Sequence, residues 1–215
     1  MVRMSNTFVN IRRKSIGRCV FLFFYSFILL SFLASCSESS DEEEEYANWQ
    51  ERNEKYFATL EDSLNRDAAN WLKIKKYSLD TSVTGKPSDY IYAKVIERGQ
   101  EPGSPLFTDS VRVSYQGRLL PSASYPSGYV FDGNVYGKYS SKTNSTTKFV
   151  VSGLTDGFAT AVQHMHRGDY WRIYVPSDLG YGAYGTTGIP GYSVLVFDLT
   201  LIDFSSPGTS MNPYN

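Results

Sequence analysis

Between residues 111 and 119, Val111, Val113, Tyr115, Gly117 and Leu119 alternate with Arg112, Ser114, Gln116 and Arg118. Successive side chains of a strand point to opposite faces, so this period of two marks a strand with one face buried. Trp171, Ile173 and Val175 repeat the pattern. Residues 90–96 form another apolar strand, stopped by Gly99, Pro102 and Gly103, and residues 194–204 form a long apolar final strand. One short helix interrupts the strands, because Phe158, Ala161, Val162 and Met165 share a helical face and Gly168 supplies a stop soon after. Residues 121–147 are rich in Ser, Tyr, Gly, Lys and Asn and read as loop. The expected fold class is α+β: an antiparallel sheet curled over one helix, with no internal repeat.

Upstream the period changes. Trp49, Asn53, Tyr56, Phe57, Leu60 and Leu64 recur at three- and four-residue steps among charged neighbours, which predicts an amphipathic helix. Trp71, Leu72 and Ile74 are expected to continue it after a break, giving a helical extension over 46–82. Its apolar stripe is expected to pack on the strand-rich domain that follows. Before it, residues 36–45 carry Asp41, Glu42, Glu43, Glu44 and Glu45, a self-repelling run that reads as a solvated tether.

Residues 1–35 have the organisation of an export leader. Arg12, Arg13, Lys14 and Arg18 precede an apolar run of about fourteen residues, short of the roughly 20 that a spanning helix needs. Leu33, Ala34, Ser35 and Cys36 then resemble a bacterial lipobox. That resemblance implies cleavage before Cys36, lipidation of its thiol and attachment to a membrane through the lipid. Ser37 after the cysteine resembles the pattern of outer-membrane lipoproteins, with a periplasmic or cell-surface face. Removal of the leader leaves 16 basic against 22 acidic residues, an excess that argues against a nucleic-acid partner. It also leaves no thiol for a disulfide or a metal site, since the chain has only Cys19 and Cys36.

The order of the remaining motifs resembles the FKBP-type peptidyl-prolyl cis-trans isomerase family. Val113, Tyr115, Gly117 and Leu119 fit its V-x-Y-x-G-x-L strand, and Phe131-Asp132 its following F-D. Gly157-Phe158 stand where the family has Gly-Trp, and Met165 with Gly168 fit M-x-x-G. Pro176, Leu179, Tyr181 and Gly182 fit P-x-x-L-A-Y-G; Ile189-Pro190 and the segment around Phe197 complete the series. The resemblance implies an FKBP-like antiparallel half-barrel of five or six strands around one short helix, over residues 83–204. The N-terminal helical extension precedes it and a tail over 205–215 follows. Because N-terminal helices dimerise some members, a homodimer contact is the alternative use of the stripe.

The family's chemistry needs no cofactor and no metal. Crossing between cis and trans at an X-Pro bond is slow because amide resonance sets a barrier of about 18–20 kcal/mol. A twisted amide is less dipolar, so an apolar, water-poor pocket binds it better than the planar one. The resemblance implies a pocket walled by Tyr115, Phe131, Phe158, Ile189 and Phe197. Asp132 at the rim and Tyr181 would be the catalytic residues, and the Thr155 N–H would bind a substrate carbonyl. The departures are Phe158 for Trp, Thr160-Ala161 within the helix, and Thr147 or Phe149 at an expected aromatic. The loops 121–130 and 133–148 are also longer than usual, and both are expected to flank the pocket. The functional expectation is an isomerase that assists folding of exported, proline-containing polypeptides. The alternative is a catalytically weak or inactive module that binds polypeptide or surface glycan.

Overall fold

In the computed structural model, residues 45–135, 137–140 and 145–211 are described; the leader, Cys36 and the adjoining tether to residue 44 lie outside them. Seven strands form one antiparallel sheet: β1 (Trp71–Lys75), β2 (Tyr90–Glu97), β3 (Ser110–Arg118), β4 (Val130–Gly133), β5 (Thr147–Val150), β6 (Tyr170–Val175) and β7 (Leu195–Ser205). Their order is β1-β2-β6-β7-β3-β4, with β5 also paired to β3. Among the described residues, two α-helices accompany them, α1 (Trp49–Arg66) and α2 (Asp156–Val162). Among the described residues, no helix is long and apolar enough to cross a membrane.

Register explains which face becomes the core. Tyr115 lies opposite Leu199, Gly117 opposite Phe197, and Ile173 opposite Phe197, so these residues share the inner face. Val111, Val113, Ile173, Leu199 and Leu201 are fully buried there. Beneath them lies α2, in which Gly157 to Val162 are all buried. Gly157 makes that seat: a Cβ on it would stand 2.3 Å from Val175 Cγ1, so only glycine lets the helix approach β6 this closely.

Four expectations change. The sheet has seven strands rather than five or six. Residues 71–75 are a strand, not a continuation of the helix, so part of the 46–82 extension belongs to the sheet: Trp71 to Lys75 pair in register with Lys94 to Tyr90. The apolar residues in this stretch fit either period, and pairing with β2 decides between them. The segment 121–147 is not wholly loop, because β4 lies within it and Thr147 opens β5. The helix also stops at Val162, so Met165, expected on its apolar face, lies beyond it.

The outer face of the sheet is aromatic and polar, and α1 covers one end of it. Trp49, Asn53, Phe57 and Leu60 of α1 are buried. Phe57 meets Tyr92 edge-on at 5.3 Å, Tyr56 lies 6.2 Å from Tyr174, and Trp71 stacks on Tyr174 at 5.5 Å. Toward the C-terminal end of α1, Glu61 accepts from Lys73 at 2.6 Å and from the Tyr92 hydroxyl. These two donors hold the Glu61 carboxyl below its usual value, Lys73 contributing most. A depressed carboxyl contributes stability that is present above its unfolded value and lost as pH falls through the folded one. Glu61→Gln is therefore expected to flatten the acid limb of stability against pH below about 4.3, the ordinary glutamate value. Urea midpoints compared across that range check this; equal slopes for both chains would contradict it.

Candidate active site

The inner face carries a cluster of aromatic rings above α2. Phe158 projects from the first turn of α2 and meets Tyr115 edge-on at 5.8 Å and Phe197 at 5.2 Å. Phe197 in turn meets Phe131 at 5.5 Å, near perpendicular. The residue opposite Phe197 has to be small for this. A Cβ on Gly117 would come within 2.6 Å of Phe197 and 2.7 Å of Phe131, so glycine in β3 lets the two rings meet over the strand. Tyr115, Phe158, Phe197 and Ile189 are buried and Phe131 is half-buried. Five predicted pocket residues thus come from β3, β4, α2, β7 and the segment between β6 and β7.

Asp132 is exposed at the end of β4. Its Oδ2 accepts the Tyr115 hydroxyl at 2.8 Å and its Oδ1 accepts the Gly133 N–H at 2.8 Å. Burial, then the bond to Asp132, pushes the Tyr115 hydroxyl well above the usual tyrosine value. Tyr115 therefore stays a neutral donor and fixes the carboxylate at the edge of the ring cluster. Thr155 is the N-cap of α2, in an extended conformation, and its carbonyl accepts the Ala159 N–H. Tyr181, on the segment between β6 and β7, is 42% exposed. Ile189 sits in a tight turn, where it and Thr186 exchange two backbone hydrogen bonds of 2.9 Å.

Several residues outside the motifs prove structural to the site. Asn134 was not among the expected residues. It fills the gap along β3 between β4 and β5, accepting from Tyr115 N at 2.9 Å and donating to Val113 O at 3.0 Å and Thr147 Oγ1 at 3.1 Å. Thr147 is thereby occupied, and Phe149 supplies the aromatic beside Tyr115, edge-on at 5.7 Å. Thr160 is fully buried, and its hydroxyl accepts the Tyr77 N–H at 3.1 Å, fastening the segment after β1 to α2. The loop after β4 does not simply flank the pocket. Tyr139 crosses to the outer face, stacks on Tyr170 at 4.6 Å and donates to Ser114 O at 3.0 Å. On the pocket side, Tyr125 and Tyr129 pair edge-on at 5.0 Å, and Tyr129 stands against Gly188 beside Ile189.

A twisted antiparallel half-barrel, one helix in its hollow and an aromatic cluster between them, is the FKBP architecture. Residues 102–202 match the family described as FKBP-type peptidyl-prolyl cis-trans isomerase. The chain is 36% identical over 123 residues to the macrophage infectivity potentiator of Trypanosoma cruzi, covering 57% of this chain and 56% of that protein. It is 36% identical over 110 residues to the peptidyl-prolyl cis-trans isomerase Mip of Coxiella burnetii, covering 51% of this chain and 42% of the relative. The crystal structure of FkpA from Escherichia coli shares the fold with a TM-score of 0.50 and 21% identity, over 92% of this chain and 75% of that one. Over residues 102–202 the chain belongs to the FKBP-type peptidyl-prolyl cis-trans isomerase family. It spans about half the length of the curated relatives it matches.

Proposed function

We propose that this chain is a peptidyl-prolyl cis-trans isomerase, held outside the cytoplasm by lipid on Cys36, that assists folding of exported polypeptides. The observation that carries the catalytic reading is the Tyr115–Asp132 hydrogen bond of 2.8 Å at the edge of the Phe131, Phe158 and Phe197 cluster. The rings offer a proline side chain an apolar seat, with Phe158 as the floor and Ile189 closing one side. Asp132 places negative charge beside the amide as its nitrogen becomes more amine-like. Tyr181 and the Thr155 N–H each take a carbonyl of the flanking chain. All these contacts act by binding the twisted amide more tightly than the planar one, and a 10⁴-fold gain would need only about 5.5 kcal/mol. The address rests on the sequence of the leader and the lipobox alone.

The assay is cis-to-trans conversion of Pro-containing peptides with several residues before proline. The purified chain is expected to accelerate it. Asp132→Val is expected to lower kcat/KM about tenfold or more, and Tyr115→Phe several-fold, because the carboxylate loses its orienting donor. Tyr184 is 99% exposed and Tyr125 42% exposed, which favours a second reading as a holder of extended polypeptide or glycan without turnover. No acceleration with any peptide would establish that reading over the isomerase.

A further inference from the structure

We infer that Asn53 and Trp49 of α1 are positioning residues for the proline pocket, an inference that rests on the isomerase reading above. Residues 180–194, between β6 and β7, carry both Tyr181 and Ile189. Apart from the Thr186–Ile189 bridge, no strand of the sheet includes these residues. Their last turn is gripped by the first turns of α1. Asn53 is fully buried; its Oδ1 accepts the Val194 N–H at 2.8 Å and its Nδ2 donates to Trp49 O at 2.7 Å. Trp49 Nε1 donates to Ser193 Oγ at 2.8 Å, and Ser193 Oγ donates to Pro190 O at 2.6 Å. Pro190 follows the wall residue Ile189 directly. The Tyr192 N–H then donates to Gly182 O at 2.9 Å, next to Tyr181. Tyr192 holds φ of 61°, a conformation a non-glycine residue keeps only when its surroundings impose it.

The same grip reaches the other long loop. Arg52 Nη2 donates to Pro121 O at 2.8 Å while its guanidinium lies 5.1 Å over the Trp49 ring. One turn of helix thus ties together the segments on both sides of the pocket mouth. A chain that enters the domain through α1 brings with it the clamp that sets Ile189 and Tyr181. This makes the first half of α1 part of the site's support, whereas its second half, around Glu61, only covers the outer face. An oriented reacting group displaced by about 1 Å can lose two orders of magnitude in rate, so a modest loosening is readable.

The test compares Asn53→Leu, Trp49→Phe and Glu61→Gln with the unmodified chain, all well below their melting temperatures. The readouts are kcat and KM on a Pro-containing peptide, and amide hydrogen exchange resolved along the chain. Asn53→Leu keeps a buried side chain of similar size but abolishes the bond to Val194; Trp49→Phe keeps the ring and loses the donor. Both are expected to lower kcat/KM about tenfold, chiefly through KM, with faster exchange confined to residues 181–194. Ser193→Thr keeps the hydroxyl and is expected to retain activity where Ser193→Ala does not. Glu61→Gln is expected to stay within about twofold of the unmodified chain. Unchanged kcat/KM in Asn53→Leu despite faster exchange at 181–194 would overturn the inference. So would a loss in Glu61→Gln equal to that in Asn53→Leu, which would make α1 a general stabiliser. An unmodified chain without catalysis would overturn the isomerase reading instead, and the exchange data would still decide whether α1 holds the loop.

Discussion

Raising the pH from 10 toward 12 is expected to unfold this protein in one steep transition, with the tyrosinate signal of its buried tyrosines appearing during unfolding rather than before it. Tyr92, Tyr115 and Tyr174 are all less than one tenth exposed. Burial is the leading reason that each hydroxyl is pushed up, Tyr92 to about 12 and the other two higher. Tyr92 and Tyr115 also donate to carboxylates, Glu61 and Asp132, which disfavours a second negative charge beside the first. The folded values lie above the unfolded value of 10.0, so the stabilisation is complete below pH 10 and is lost as pH rises through the folded values. Each group changes stability by up to about 1.4 kcal/mol per pH unit in that window, so three together contribute about 4. Over the two pH units that amounts to about 8 kcal/mol, enough to unfold a domain in the lower half of the typical range of about 5–15 kcal/mol. The difference titration between the chain and Tyr92→Phe isolates one group; the variant is expected to unfold over a broader range. Ionisation of these three in a chain whose circular dichroism is still native would refute the argument.

The half-barrel was legible because its inner face is apolar. Val113, Tyr115 and Gly117, or Trp171, Ile173 and Val175, show the period of two without any knowledge of their partners. The wall residues Tyr115, Phe131, Phe158 and Phe197 were implied by the resemblance to the FKBP-type family and not by their spacing, which alone marks them as core aromatics; they meet as one cluster. The outer face was not legible. Lys73, Lys94, Arg172 and Asp198 look like a solvated surface, and nothing local says that α1 and Tyr139 will cover parts of it. For the same reason β1 passed for helix: Trp71 and Lys73 face this mixed surface, so their alternation with Leu72 and Ile74 carries no polarity contrast. Asn53 lay visibly on the apolar stripe of α1, yet its role depends on Val194, 141 positions away. Asn134 carried no signal either, because an asparagine in a Gly- and Ser-rich segment reads as turn chemistry until the gap it plugs in the ladder is known.

The neighbour of Phe197 on β7 carries the second large effect: Arg172→Met alone is expected to cost about 3 kcal/mol, and Arg172→Met with Asp198→Leu much less. The alternation that aims Phe197 into the pocket aims Asp198 at the outer face, where it is 2% exposed. Arg172 holds it in a fork, Nε to Oδ1 at 2.8 Å and Nη2 to Oδ2 at 3.0 Å, and Tyr170 donates to Oδ1 at 3.3 Å. The pair in turn pushes the Arg172 guanidinium up, the hydrogen bonds to Asp198 being the main cause. A carboxylate sealed from water with its principal donor removed carries the full desolvation penalty. Arg118, 3.8 Å away, offsets only part of it, and the 41% exposure of the Arg172 side chain keeps the cost at the lower end for a buried pair. Taking out both charges removes the penalty together with the attraction. Urea midpoints at unchanged m measure each variant. A double variant as unstable as Arg172→Met would show that packing of the Arg172 stem over β6, rather than the charge of Asp198, holds this face of the sheet.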